Sequence, residues 1–83
     1  MNKKLFTQLT KTILSQDSEE SLGEFLKGIL TPDEIEKLCT RLEIAKMLKQ
    51  KIPQREIAEK LGIGIATVTR GSRELKRGSF KNL

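Results

Sequence analysis

Histidine, tryptophan and tyrosine are missing from this chain, and cysteine occurs once. Without histidine there is no imidazole general base. No clustered carboxylate pair or metal-ligand spacing takes its place, so no catalytic site can be assembled from these residues. The expectation is a protein that is not an enzyme and has no metal. A single thiol makes neither an internal disulfide nor a cysteine-rich zinc site, and it fits a reducing compartment. No apolar run is long enough to span a bilayer and no signal-peptide pattern is present, so the chain reads as cytoplasmic. Aromatic residues amount to three Phe in 83 residues. A short, aliphatic chain of this kind is near the lower limit for a self-sufficient core, and amphipathic helices in such chains often complete the core by oligomerising.

Charge is unevenly placed. The net charge is +5, made of −2 over residues 1–40 and +7 over residues 41–83. A basic half of this kind is what contact with phosphates requires, although a solvated basic surface has the same composition.

The basic half contains the most specific stretch. Residues 53–75 predict two short helices joined by a tight turn. Pro53 suits a helix start, where its missing N–H costs nothing. Ile57, Ala58 and Leu61 share one helical face, and Gly62 follows where a helix often ends in the left-handed conformation. Ile63 returns to the core, and a second helix starts near Gly64 or Ile65 with Val68, Gly71 and Leu75 on its buried side. A small residue at the crossing, a glycine in the turn and apolar residues on either side are the requirements of a helix-turn-helix. In this register Ile65, Ala66, Thr67 and Thr69 face outward at the start of the second helix. Small apolar groups and hydroxyls there can meet thymine methyls and base edges in a major groove.

The rest of the chain predicts three further helices. Leu5, Leu9, Ile13 and Leu14 recur at helical spacing over residues 3–15. Asp17 or Ser18 caps a second helix that runs to about Gly28 and buries Leu22, Phe25 and Leu26, with Ile29 as a further candidate. Thr31-Pro-Asp-Glu34 is a capping box with proline in the first turn. The long helix it opens runs to about Gln50, with an apolar stripe of Ile35, Leu38, Leu42, Ala45 and Leu48. Cys39 beside that stripe reads as a small core residue. The basic tail after Leu75 contains Gly78 and is expected to fray, with Phe80 as the residue able to dock. The fold class is therefore all-α, a helical bundle with a helix-turn-helix in a single domain. Residues 1–30 form dimerisation helices, 31–51 the long central helix, 53–76 the helix-turn-helix and 77–83 the tail.

Several of these pieces together resemble the bacterial Trp repressor family. They are Leu30-Thr-Pro-Asp-Glu, Thr40-Arg41, Gln54-Arg55-Glu56 and, most specifically, Gly64-Ile-Ala-Thr-Val-Thr-Arg-Gly-Ser72. The resemblance implies an intertwined all-helical homodimer that takes L-tryptophan as corepressor and binds operator DNA of tryptophan biosynthesis or transport. It implies that Arg41 and Arg70 sandwich the indole, that Arg70 also meets the carboxylate, and that Thr31 lies at the ligand's polar end. It implies that Gln54 and Arg55 approach the operator from the first helix of the motif, and Gly64, Ile65, Ala66, Thr67 and Thr69 from the second. The chemistry is sound, since a guanidinium plane both stacks on an aromatic face and pairs with a carboxylate.

The chain departs from the family's pattern in four places. The turn before Gln54 is one residue shorter. Glu74 replaces a Ser that helps hold the ligand's amino group; its carboxylate can pair with the ligand's ammonium or with Arg70 or Arg41. Ala58 replaces a Lys that reaches DNA. The sequence stops at Leu83, short of a last helix that helps close the dimer. Two other readings stay open: a helix-turn-helix regulator that does not use tryptophan, and a helical protein-interaction adaptor or antitoxin whose basic face meets an acidic partner.

Overall fold

A computed structural model describes all residues, Met1–Leu83. It contains five helices and no strand: α1 Lys3–Leu14, α2 Glu19–Ile29, α3 Pro32–Lys49, α4 Gln54–Leu61 and α5 Ile65–Arg77. The chain forms two compact units, residues 1–35 and 36–83, with the boundary inside α3. That boundary nearly coincides with the division of charge, because residues 1–35 carry a net −2 and residues 36–83 a net +7.

In the first unit each helix start has a side-chain cap. Asn2 Oδ1 accepts from the Leu5 N–H at 3.1 Å. Ser18, rather than Asp17, caps α2, its hydroxyl accepting from the Ser21 N–H at 2.9 Å. The capping box of α3 is reciprocal: the Glu34 N–H donates to Thr31 Oγ1 at 3.2 Å, and the Thr31 N–H donates to Glu34 Oε1 at 2.9 Å. Yet α1 and α2 have no buried residue. Leu22, Phe25 and Leu26 are only half-buried, while Leu5, Leu14 and Ile29 are exposed.

The second unit holds the core. Ile44, Met47 and Leu48 of α3 pack with Ile57 of α4 and Val68 of α5, and Ile52, Ala58, Leu61, Ile63 and Leu75 close around them. Ile57 and Val68 are completely inaccessible to solvent. The buried face of α3 thus differs from the expected stripe. Ala45 and Leu48 are buried as read, but Ile44 and Met47 join them, and Leu38 and Leu42 are exposed. The C-terminal half of α3 turns toward α4 and α5, which a single stripe drawn along 18 residues misses. Cys39 is exposed as well, not a core residue.

Turn chemistry sets the helix directions. At the end of α4, Gly62 adopts φ 64° and ψ 39°. The Ile63 N–H donates to Ala58 O at 3.0 Å and the Gly62 N–H to Glu59 O at 3.3 Å. This pair of bonds is a Schellman motif, and it leaves Ile63 pointing into the core. Pro53 is the N-cap of α4 rather than its first helical residue. Gly71 lies where α5 meets α3: a Cβ added there would sit 3.0 Å from Ile44 Cγ2 and 3.4 Å from Leu48 Cδ1.

The end of α3 uses the same bonding pattern with a residue ill-suited to it. Lys51 has φ 64°, the one non-glycine residue with positive φ. Its N–H donates to Leu48 O at 2.9 Å, and the Ile52 N–H donates to Met47 O at 3.2 Å. A Cβ in the left-handed region costs about 1–2 kcal/mol, against about 0.5–1 kcal/mol of extra backbone entropy lost by glycine. Lys51→Gly is therefore expected to stabilise the protein by about 0.5–1 kcal/mol. A higher urea midpoint at unchanged slope checks this, and an unchanged or lower midpoint contradicts it.

Candidate nucleic-acid interface and ligand groove

Within the second unit α4 and α5 stand as the two arms of the helix-turn-helix, joined by Gly62-Ile63-Gly64. Gly64 is the N-cap of α5 in extended conformation and gives no side-chain cap. The first N–H groups of α5 therefore have no side-chain acceptor, and the helix dipole favours an anion there. Ile65, Ala66 and Thr67 are exposed, as the register requires.

Thr69 departs from that register. It is half-buried, and its hydroxyl reaches Gln54 Oε1 at 2.8 Å and the Ile65 carbonyl at 3.0 Å. One hydroxyl proton serves these two acceptors by turns. The bond to Gln54 ties the start of α4 to α5, so Thr69 contributes to holding the two arms in register rather than facing fully outward. Helical periodicity places a residue on a face but does not report which neighbour overhangs it. Arg55, one residue into α4, is exposed. So are Arg70, Arg73, Lys76 and Arg77 along α5.

A groove of about 480 Å³ opens between α3 and α5. It lies within the usual range for small-molecule sites, about 300–1,000 Å³. Leu38 and Ile44 give it apolar walls from α3, and Gly71 widens it from α5. Arg41 on α3 and Arg70 on α5 both line it, as do Ala66, Thr67 and Glu74. The two arginines that the sequence singles out are thus brought to one cavity, together with Glu74. Thr31 is in the first unit, where its hydroxyl caps α3.

Glu74 forms its ion pair with neither Arg41 nor Arg70. Its Oε1 pairs with Arg77 Nη1 at 3.1 Å and its Oε2 accepts from Ser79 Oγ at 2.9 Å. The Ser79 hydroxyl is the main reason the carboxyl is held below its ordinary pKa; it outweighs partial desolvation, and the charges of Arg77 and then Arg70 add to it. The carboxylate is accordingly ionised at neutral pH and lies in the groove wall.

The tail does not fray as expected. Gly78 at φ 91° ends α5 with a third Schellman turn, the Ser79 N–H donating to Glu74 O at 3.1 Å. The chain folds back, and Phe80 lines the groove. Lys49 Nζ holds this segment by donating to the carbonyl of Phe80 at 3.0 Å and to the main-chain oxygen of Leu83 at 2.9 Å. The signal was present in the sequence as a glycine directly after the last turn of α5, but the partner lysine lies 31 residues away.

The match to known proteins is consistent with this geometry. A family model described as Trp repressor protein covers residues 4–82. Proteins named Trp operon repressor homolog are similar to the chain. That of Vibrio atlanticus is 42% identical over 72 residues, which span 86% of this chain and 70% of the relative. That of Vibrio cholerae is 44% identical over 72 residues, 86% of this chain and 67% of the relative. That of Photobacterium profundum is 51% identical over 62 residues, 74% of this chain and 60% of the relative. With a helix-turn-helix on a basic unit and a family match along nearly its whole length, the chain belongs to the Trp repressor family of helix-turn-helix transcription regulators.

Proposed function

We propose that this protein is a tryptophan-responsive repressor that reads operator DNA with α4 and α5 and takes L-tryptophan as corepressor in the groove between α3 and α5. The observation that carries the reading is the groove itself, which has an arginine on each side and ends at Ala66 and Thr67, the first turn of the DNA-reading helix. Arg41 and Arg70 supply planar cations for an indole face, and Arg70 a partner for the carboxylate. Glu74 supplies the charge for the ammonium. At the DNA side, Ile65, Ala66 and Thr67 meet base edges, while Arg55 and the N–H groups after Gly64 meet phosphate. Gln54, with Oε1 turned to Thr69, offers its amide nitrogen. Thr31 belongs to the proposed ligand set by family resemblance alone.

A ligand in this groove acts on DNA binding only if it favours one orientation of α5 over another. Filling the space behind Ala66 and Thr67 props the reading helix against α3, which gives that preference a physical origin. Linkage then requires operator and ligand to tighten each other equally, typically by about 5- to 150-fold.

The test selects an operator from random duplexes and measures its affinity with and without L-tryptophan. Operator affinity is expected to rise with L-tryptophan and ligand affinity to rise by the same factor with operator. Arg70→Ala should abolish the coupling. Glu74→Gln keeps an acceptor for Ser79 but removes the charge, and should weaken L-tryptophan by roughly threefold to tenfold. Equal operator affinity with and without saturating L-tryptophan removes the corepressor role and leaves DNA reading intact.

DNA reading has its own test. Thr67→Asp places a negative charge on the exposed first turn of α5 and should abolish specific binding with helicity unchanged. Arg55→Ala should weaken all sequences alike and flatten the salt dependence by about one phosphate contact. Tight operator binding by Thr67→Asp would show that this face of α5 does not enter the groove.

We infer further that the active form is a homodimer. A unit of 35 residues with no buried side chain in its helices cannot be stable alone. Leu5, Phe6, Leu14, Ile29 and Leu42 are left exposed, and a second copy is the partner that covers them. Sedimentation at micromolar concentration should give twice the chain mass; a monomer would overturn this.

A further inference from the structure

We propose that Phe80 is a ligand-contact residue, held over the groove by Lys49 and Glu74, and that it selects aromatic over aliphatic amino acids. The inference rests on the reading of the groove as an amino-acid site, and it assigns part of that site to the turn after α5, beyond the helix that carries Arg70 and Glu74.

The groove follows one face of α5. Its lining positions there are Ala66, Thr67, Arg70, Gly71 and Glu74, which return at helical spacing from the first turn toward the last. The far end of this face would be open if the chain continued straight. Three more residues of helix would carry Phe80 about 4–5 Å further along the axis and away from the cavity. The left-handed Gly78 reverses the chain instead, and Phe80 becomes the wall that follows Glu74.

Bonds on both sides of Phe80 set its position. Before it, Ser79 is tied twice to Glu74, through its N–H at 3.1 Å and its hydroxyl at 2.9 Å. At and beyond it, Lys49 Nζ donates to the Phe80 carbonyl and to the main-chain oxygen of Leu83. A ring fixed this way loses little freedom when a ligand arrives, which favours affinity. Lys49 and Glu74 are therefore positioning residues for the ring.

The chemistry gives the selectivity. The remaining apolar lining, Leu38, Ile44, Ala66 and Gly71, is aliphatic or bare and accepts any apolar side chain. Phe80 is the only aromatic residue in residues 36–83. A ring–ring contact adds a preference that a leucine or isoleucine ligand does not receive.

The protein has no Trp or Tyr, so indole fluorescence reports the ligand alone. The experiment titrates L-tryptophan with the full chain and follows emission, with L-leucine as competitor. The wild type should bind L-tryptophan with a blue-shifted emission. Phe80→Ala should weaken it about tenfold and Phe80→Leu about threefold, with part of the blue shift lost. L-Leucine should be affected less, so the preference for the aromatic ligand narrows. Lys49→Met should weaken L-tryptophan by a smaller factor and add nothing to Phe80→Ala, because both act through one ring. Far-UV circular dichroism and the urea midpoint confirm that each variant is folded. Wild-type binding with Phe80→Ala unchanged in affinity and emission overturns this proposal alone. Failure of the wild type to bind any aromatic amino acid overturns the amino-acid reading of the groove, and this proposal with it.

Discussion

The helix-turn-helix unit depends on how closely α5 lies against α3. Gly71 permits that approach, since a Cβ there would meet Ile44 Cγ2 at 3.0 Å. Ile44 is itself buried, and its methyl belongs to a branched side chain with little room to turn. The contact positions Val68 over Ile57 and Ile44, so three fully or nearly fully buried aliphatic side chains fix the angle between the arms of the helix-turn-helix. A core of this size leaves little margin, and one overpacked position there would cost about 1–3 kcal/mol.

The same approach creates the groove. Beside the tight contact, α3 and α5 leave space that Arg41 enters from one helix and Arg70 from the other. Because Ala66 and Thr67 are both groove wall and the exposed first turn of α5, whatever fills the space bears directly on that helix. No separate relay is needed for a ligand to influence the operator. On the proposed reading, one helix has the ligand on one side of its first turn and the nucleic acid on the other.

Glu74 and the tail show how a departure from a family's pattern acquires a structural explanation. Read as an isolated carboxylate, Glu74 had two fates: a ligand's ammonium, or an arginine of the pocket. In the fold it is joined to Ser79 and Arg77, and it ties down the turn that carries Phe80. Its bonds to both leave the carboxylate charged and in the wall. The partner Ser79 reaches it because Gly78, one turn further on, takes the left-handed conformation and reverses the chain.

Local rules made much of the fold legible. The capping box at Thr31 and Glu34, the Ser18 cap and the left-handed Gly62 each involve residues within a few positions of one another. Short-range sterics and hydrogen bonding decide such features before any tertiary contact forms. The split of charge and the triplet Ile57, Gly62 and Val68 were equally plain, and with them the helix-turn-helix. What the sequence alone could not decide were the matters of which helix covers which face. The burial of Ile44 and Met47 in place of Leu38 and Leu42, the exposure of Cys39 and the inward turn of Thr69 depend on where α4 and α5 pass over α3. The return of Phe80 to the groove depends on a lysine far away in the chain. Periodicity defines the faces of a helix, but only packing chooses among them, because that choice is made by residues distant in sequence and adjacent in space.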